Sequence, residues 1–248
     1  MRKKMQFLGG AVVLIFALAF VISGSARAEE MKHMHHGKSA DMEMHHMHIL
    51  MNHGLEMVTE GSTMVMLAEM KMAPSLDHLT LEHGRHMITN GKELIEHAMS
   101  GHEMKSMHKA GHGDDPLMKY THELGHAMTE YANIVDNMGM EGDMAGDMMT
   151  MHHMHILINH ALDMAAQGSD LAMLGHMGMA KGVDEESVEH GKMMKSDADK
   201  LLSEVMEGKA MTEMHEKGVK MDNEMMAQTH KLGAAARKIV DLLSDMPK

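Results

Sequence analysis

The sequence predicts an all-α protein, built as two tandem four-helix bundles that arose by internal duplication. Three observations carry that expectation. The string Met44-His45-His46-Met47-His48-Ile49-Leu50 returns letter for letter as Met151-His152-His153-Met154-His155-Ile156-Leu157, 107 positions further on. The same offset relates Asn52-His53 to Asn159-His160, Gly61-Ser62 to Gly168-Ser169, Glu82-His83-Gly84 to Glu189-His190-Gly191, and Met107-His108 to Met214-His215. After a one-residue shift it relates Thr121-His122 to Thr229-His230. A match this long at a nearly fixed offset marks a duplicated unit of about 100 residues. The chain has 248 residues, room for two ordinary domains. No segment shows the period-two alternation of a strand.

Residues 1–28 stand apart from both units. Arg2, Lys3 and Lys4 precede an apolar run over 7–22, and Ala26-Arg27-Ala28 supplies a small-x-small cleavage site. This is the pattern of a secretory signal peptide. Cleavage is expected after Ala28, giving a periplasmic or otherwise secreted protein with no membrane attachment. Residues 29–43 read as a flexible arm carrying His33, Met34, His35 and His36.

The first bundle is expected over 44–138. A helix over 44–60 has Asp41 as a possible cap and Gly61 as its stop. Ser62 caps a second helix that ends by Pro74, because proline cannot continue a helix. A third runs from Ser75 or Asp77 to Gly101, with an extra turn over 104–108. Pro116 opens a fourth as a first-turn proline, reaching about Met138. Residues 139–150 form a linker rich in Gly, Asp and Met. The second bundle, over 151–248, repeats the plan with helices near 151–167, 169–179, 184–207 and 209–245. Gly84, Gly191, Gly125 and Gly233 fall inside helices. A mid-helix glycine costs roughly 1 kcal/mol relative to alanine, so these positions imply close helix approach or room for something bound.

Composition narrows the chemistry. There is no Cys, so no disulfide framework and no thiolate metal site. Loss of the signal peptide removes Arg2, Lys3, Lys4 and Arg27 and no acid, moving the formal charge from −13 to −17. So acidic a chain disfavours nucleic acid as a partner and attracts cations. Against only 2% aromatic residues stand 39 Met and 24 His.

Residues four apart share a helix face. Among positions common to both copies, this spacing joins His53 to Met57 and His160 to Met164, with His46 and His153 further along. It also joins Met66 to Met70, Met173 to Met177, His83 to Met87, His190 to Met194, Met118 to His122 and Met226 to His230. Each helix thus carries Met and His able to face a common interior. Thioether is a soft ligand and imidazole a borderline one, a set suited to Cu(I) and Ag(I) over hard cations. Methionine also survives an oxidising compartment in which thiols would pair. Weaker binding of Cu²⁺ or Zn²⁺ is expected at His clusters such as 45/46/48 and 152/153/155. The competing reading of any single pair is core filling, for which methionine is well suited; it does not account for so many histidines.

In composition, residues 29–230 resemble the Met/His-rich periplasmic proteins that bind copper or silver. In expected architecture, the chain is similar to the four-helix-bundle copper storage proteins, though those use Cys and this chain has none. The resemblance implies a non-enzymatic protein that sequesters Cu(I), or a chaperone that hands copper to an efflux or oxidase-assembly protein.

Other classes have weaker support. His122-Glu123-Leu124-Gly125-His126 fits the His-Glu-x-x-His pattern of zinc proteases. The second copy reads His230-Lys231-Leu232-Gly233-Ala234, without the base or the second ligand. Glu43-x-x-His46 and Glu123-x-x-His126 fit di-iron spacing, but neither recurs. Haem held by Met and His in a bundle is a further alternative, though its pocket would have almost no aromatics, and covalent haem would need Cys-x-x-Cys-His, which is absent.

Overall fold

A computed structural model describes residues 36–71, 74–109, 111–138, 146–217 and 224–246. The expected signal peptide, residues 29–35 of the expected arm and most of the expected linker lie outside the described residues. The fold is all-α. Its helices are α1 (His36–Glu69), α2 (Asp77–Ser100), α3 (His102–Lys109), α4 (Pro116–Asp136), α5 (Asp147–His176), α6 (Asp184–Glu207), α7 (Lys209–Glu216) and α8 (Glu224–Ser244), with a 3₁₀ turn at His112–Asp114. Each repeat is one long, one medium, one very short and one medium helix. No helix among the described residues is long and apolar enough to cross a membrane.

The start of α4 follows its sequence cues. Asp115 accepts a hydrogen bond from the Leu117 N–H at 2.8 Å, and Pro116 occupies the first turn. Other boundaries differ from expectation. The helices expected over 44–60 and 62–73 are one continuous helix, α1, which also takes in the last residues of the expected arm. Those expected over 151–167 and 169–179 are likewise one, α5. The single helix expected over 209–245 is two, α7 and α8.

Gly61 is not a stop because it has another task. A β-carbon on Gly61 would lie 2.5 Å from the Gly84 carbonyl oxygen, and one on Gly84 would lie 2.6 Å from that of Gly61. Seven residues back along α1 and seven forward along α2, Gly54 meets Gly91 in the same way. The two helices therefore run antiparallel with their backbones in contact. In the second repeat Gly168 meets Gly191 across α5 and α6, while the equivalents of Gly54 and Gly91 are Ala161 and Ala198.

The repeats do not stand as two separate bundles. Residues 37–248 form one compact unit, and buried apolar residues of both repeats merge into one core that includes Leu55, Leu124, Leu162 and Leu232. The two long helices cross antiparallel, joined by polar pairs. Asn52 Nδ2 donates to Asp170 at 2.6 Å, Thr59 donates to Asp163, and Asn159 Nδ2 donates to Thr63 at 3.0 Å. Tyr131 donates to Asn159, and Tyr120 to the Leu242 carbonyl at 2.9 Å, tying α4 to the other repeat. Asn159 Oδ1 thus has the Tyr131 hydroxyl. The position equivalent to Tyr131 in the second repeat is Ile239, and Asn52 Oδ1 is left buried with no hydrogen-bond partner among the described residues.

Two predictions follow from this packing. In an exposed helix Gly→Ala gains up to about 1 kcal/mol. At the backbone contact the added carbon overpacks, which typically costs about 1–3 kcal/mol. Gly61→Ala and Gly168→Ala are expected to lower the melting temperature, by about 2–4 °C per kcal/mol for a chain of this size. A rise in thermal scans would refute the contact.

The second concerns pH. Burial, with the neighbouring Glu56, raises both Asp163 and Asp170 to about 7. A raised folded-state pKa means that the folded form holds its proton where the unfolded form does not. Stability from these groups is full below about pH 4 and is lost as pH rises through about 7. The double variant Asp163→Asn, Asp170→Asn is expected to melt higher than the parent at pH 8 and to converge with it near pH 4.

Candidate metal centre

On α1 the fully buried stripe is Met44, His48, Met51, Asn52, Leu55, Val58 and Thr59, a heptad-like face turned to the interior. The stripe through His46, His53 and Met57 lies on the other side. His46 and His53 are exposed, and His53 contacts Glu56 at 3.5 Å. His83, His153, His160 and His190 are exposed as well. Met57, Met87 and Met194 are half-buried, with β-carbons against the glycine contacts at Gly91, Gly61 and Gly168. Met164 packs at the edge of the core. Met66, Met70 and Met173 are buried and Met177 is half-buried. The expected pairs therefore do not share one interior. Both stripes of α1 carry Met and His, and what buries one of them is the Met51, Leu55 and Val58 beside it.

A different set of methionines does come together. Met44 and Met47 from α1, Met104 and Met107 from α3, and Met118 from α4 form a buried cluster of thioethers alone, flanked by Met99 and Leu117. The short helix α3 exists to close this cluster: its two buried residues are Met104 and Met107. Gly125 makes room for it, since a β-carbon there would collide with the Met99 thioether. In the second repeat the equivalent methionines are buried too, but there they are continuous with the joint apolar core and do not form a cluster apart. Met151, Met154, Met211, Met214 and Met226 are all buried, Met225 replaces Leu117, and Met206 lies over Gly233 as Met99 lies over Gly125.

Beside each cluster sits a buried imidazole whose tautomer can be deduced. The Thr121 hydroxyl donates to the Leu117 carbonyl at 2.7 Å. Its one hydrogen is thereby used, so the 2.7 Å contact with His48 Nε2 requires that ring to donate. The hydrogen of His48 is fixed on Nε2, and Nδ1 is a bare lone pair, buried with no hydrogen-bond partner among the described residues. His48 also stands edge-on to Tyr120 at 5.3 Å. In the second repeat Thr229 donates to the Met225 carbonyl at 2.8 Å and accepts from His155 Nε2 at 2.7 Å, again leaving Nδ1 bare. Fixing one ring nitrogen through a hydrogen bond is how proteins orient a histidine for a metal on the other. Desolvation, with help from His45 and His152, lowers His48 and His155 to about 3, so both stay neutral. His152, next to His155, is buried with neither ring nitrogen partnered among the described residues.

Met118 and Met226 thus enter the sulfur clusters, whereas His122 and His230, expected beside them, turn outward. His122 Nε2 meets His108 Nε2 at 3.0 Å, and His230 meets His215 at 3.2 Å. Glu123 and His126 are exposed. No three His, Asp or Glu side chains among the described residues are grouped to hold a metal; what the fold gathers is soft thioether. Sequence reasoning overlooked Met44, Met47, Met104 and Met107 with their equivalents, and assigned His48 and His155 only to weaker divalent clusters, although all recur at the repeat offset with i, i+3 or i, i+4 spacing. No protein-family model, curated protein or solved structure matches this chain.

The tautomers are directly measurable. ¹⁵N shifts of His48 and His155 in the metal-free protein are expected to show hydrogen on Nε2 only, and to stay so when acidified to about pH 5. The lowered folded-state pKa means that stability is full above about 6.5 and is withdrawn as pH falls from there towards 3. Thr121→Val and Thr229→Val should produce mixed tautomers; an unchanged Nε2–H signal would disprove the assignment.

Proposed function

We propose that the protein sequesters Cu(I), and Ag(I) by the same chemistry, as a secreted, non-enzymatic store with one chamber in each repeat. The observation that carries this reading is the segregation of thioethers in the first repeat, whose methionine positions recur in the second. Elsewhere the core is built of Leu, Ile, Val, Ala and Tyr as well as Met, as at Leu55, Ile95 and Tyr131. Around Met44 and Met118 the cluster is methionine alone, beside a histidine held with its lone pair bare. Core filling uses methionine for its adaptable shape; it supplies no reason to sort sulfur to one place, or to leave buried nitrogens without partners.

Each residue has a part. The thioethers of Met44, Met47, Met104, Met107 and Met118 supply neutral soft donors, and His48 Nδ1 one borderline donor. Their equivalents, with His155, do so in the second repeat. Neutral donors leave a bound Cu(I) with its own charge, which the acidic chain as a whole offsets. Softness disfavours Mg²⁺, Ca²⁺ and Zn²⁺ relative to Cu(I).

Anaerobic titration of the mature chain with Cu(I), against a chromophoric chelator, tests this. At least one tight equivalent per repeat is expected, and equimolar Zn²⁺ should not displace it. Met→Leu is close to volume-conserving and costs under about 1.5 kcal/mol per site. Replacing Met44, Met107 and Met118 by Leu should keep helicity, remove roughly half the capacity if the chambers act independently, and reduce the stabilisation conferred by Cu(I). Met57→Leu with Met87→Leu should leave capacity intact. Unchanged Cu(I) stoichiometry in the first variant would return these methionines to core packing.

A further inference from the structure

Outside the thioether chambers, four imidazoles face one another in two equivalent pairs. His108, at the end of α3, and His122, on α4, face each other with Nε2 atoms 3.0 Å apart and ring centroids 5.1 Å apart. His215 and His230 repeat this at 3.2 Å and 5.4 Å, with ring planes 19° apart. His108 and His215 are exposed, and His122 and His230 half-buried. These are the outward residues of the helices that carry Met107, Met118, Met214 and Met226 inward.

Facing nitrogens share one hydrogen: one ring donates from Nε2 and the other accepts. Desolvation, followed by the partner ring, lowers the pKa of His122 and of His230, so double protonation of a pair is disfavoured. A tetrahedral ion with metal–nitrogen bonds of about 2.0–2.1 Å holds two ligand nitrogens about 3.3 Å apart. The observed separations fall within a few tenths of an ångström of that value. A linear two-coordinate ion would need about 4 Å, twice the same bond length.

We propose that His108–His122 and His215–His230 are two surface sites for a borderline divalent ion, Zn²⁺ or Cu²⁺ in class, separate from the buried thioether chambers. The ion enters between the two Nε2 atoms. The ring that donated moves its hydrogen to Nδ1, so both lone pairs become available with no net loss of a proton, and water completes the coordination. His126 stacks on His122 with centroids 6.4 Å apart, whereas its equivalent in the second repeat is Ala234. His126 is not grouped with the pair as it stands, but rotation of its ring onto the ion would add a third donor to the first site alone, so the first site should bind more tightly.

The test uses the full mature chain, metal-free, titrated with Zn²⁺ and followed through ¹⁵N shifts of the histidine rings. His108, His122, His215 and His230 are expected to move first, with Nε2 taking the metal-bound shift, and the first pair before the second. In His108→Gln and His215→Gln the responses of His122 and His230 should weaken at least tenfold. The proposal is overturned if these four rings respond no earlier than exposed His53 and His83, or if His122 and His230 respond in the variants as in the parent. The outcome is distinguishable from that of the Cu(I) reading. Failure of the pairs leaves Cu(I) capacity untouched, and loss of Cu(I) capacity in the Met→Leu variant leaves the Zn²⁺ response in place.

Discussion

Backbone contact at glycine is the constraint on which the rest of this molecule depends. Gly61 against Gly84, and Gly168 against Gly191, bring a long helix and its antiparallel neighbour closer than any side chain would permit. Held so, the C-terminal end of α2 lies level with the early turns of α1, which brings Met99 to the methionines of α1 and α4. Beyond Gly101, α3 covers the gap with Met104 and Met107. The second repeat reaches the same result through Gly208 and α7. A glycine inside a helix, unfavourable in isolation, is here what allows a cluster of large flexible side chains to be enclosed.

Polar chemistry is sorted with equal care. The seam between α1 and α5 carries Asn52, Thr59, Asp163 and Asp170, groups whose desolvation is offset by hydrogen bonds between the repeats. Imidazoles next to the thioethers are treated differently: one nitrogen is tied to threonine and the other left bare. Burial that would be a liability for a core histidine suits a ligand, because it keeps the ring neutral without help from pH. The two repeats are not identical in this respect. Tyr131 satisfies Asn159, while Ile239 leaves the oxygen of Asn52 bare, so duplication has been followed by divergence in the shared core.

Much was legible in the residues themselves. The duplication, the all-α class, the proline start of α4 and the abundance of soft donor side chains follow from identity, spacing and composition, because each is a local property of the chain. Gly125 and Gly233 were recognisable as places that make room for something; that the occupant is a methionine thioether was not. Gly61 reads as a helix stop in the sequence, and Gly168 falls in the break expected between 167 and 169, since a glycine at a helix end and one at a helix crossing look alike until the second helix is present.

The face of α1 that turns inward is a tertiary decision. In a stretch where Met and His fill most positions, the stripe through His53 and the stripe through His48 offer the same donors, and repetition marks both equally. Packing separates them, because only one also carries Met51, Leu55 and Val58 to the joint core. The union of the repeats was undecided for the same reason: a duplicated sequence shows what each copy contains, but the Asn52–Asp170 and Asn159–Thr63 pairs exist only once the copies cross. The sequence by itself determined which donors the protein carries, in duplicate; the tertiary structure decided which were gathered, which were paired at the surface and which were left to water, because burial is a property of the helix that arrives opposite.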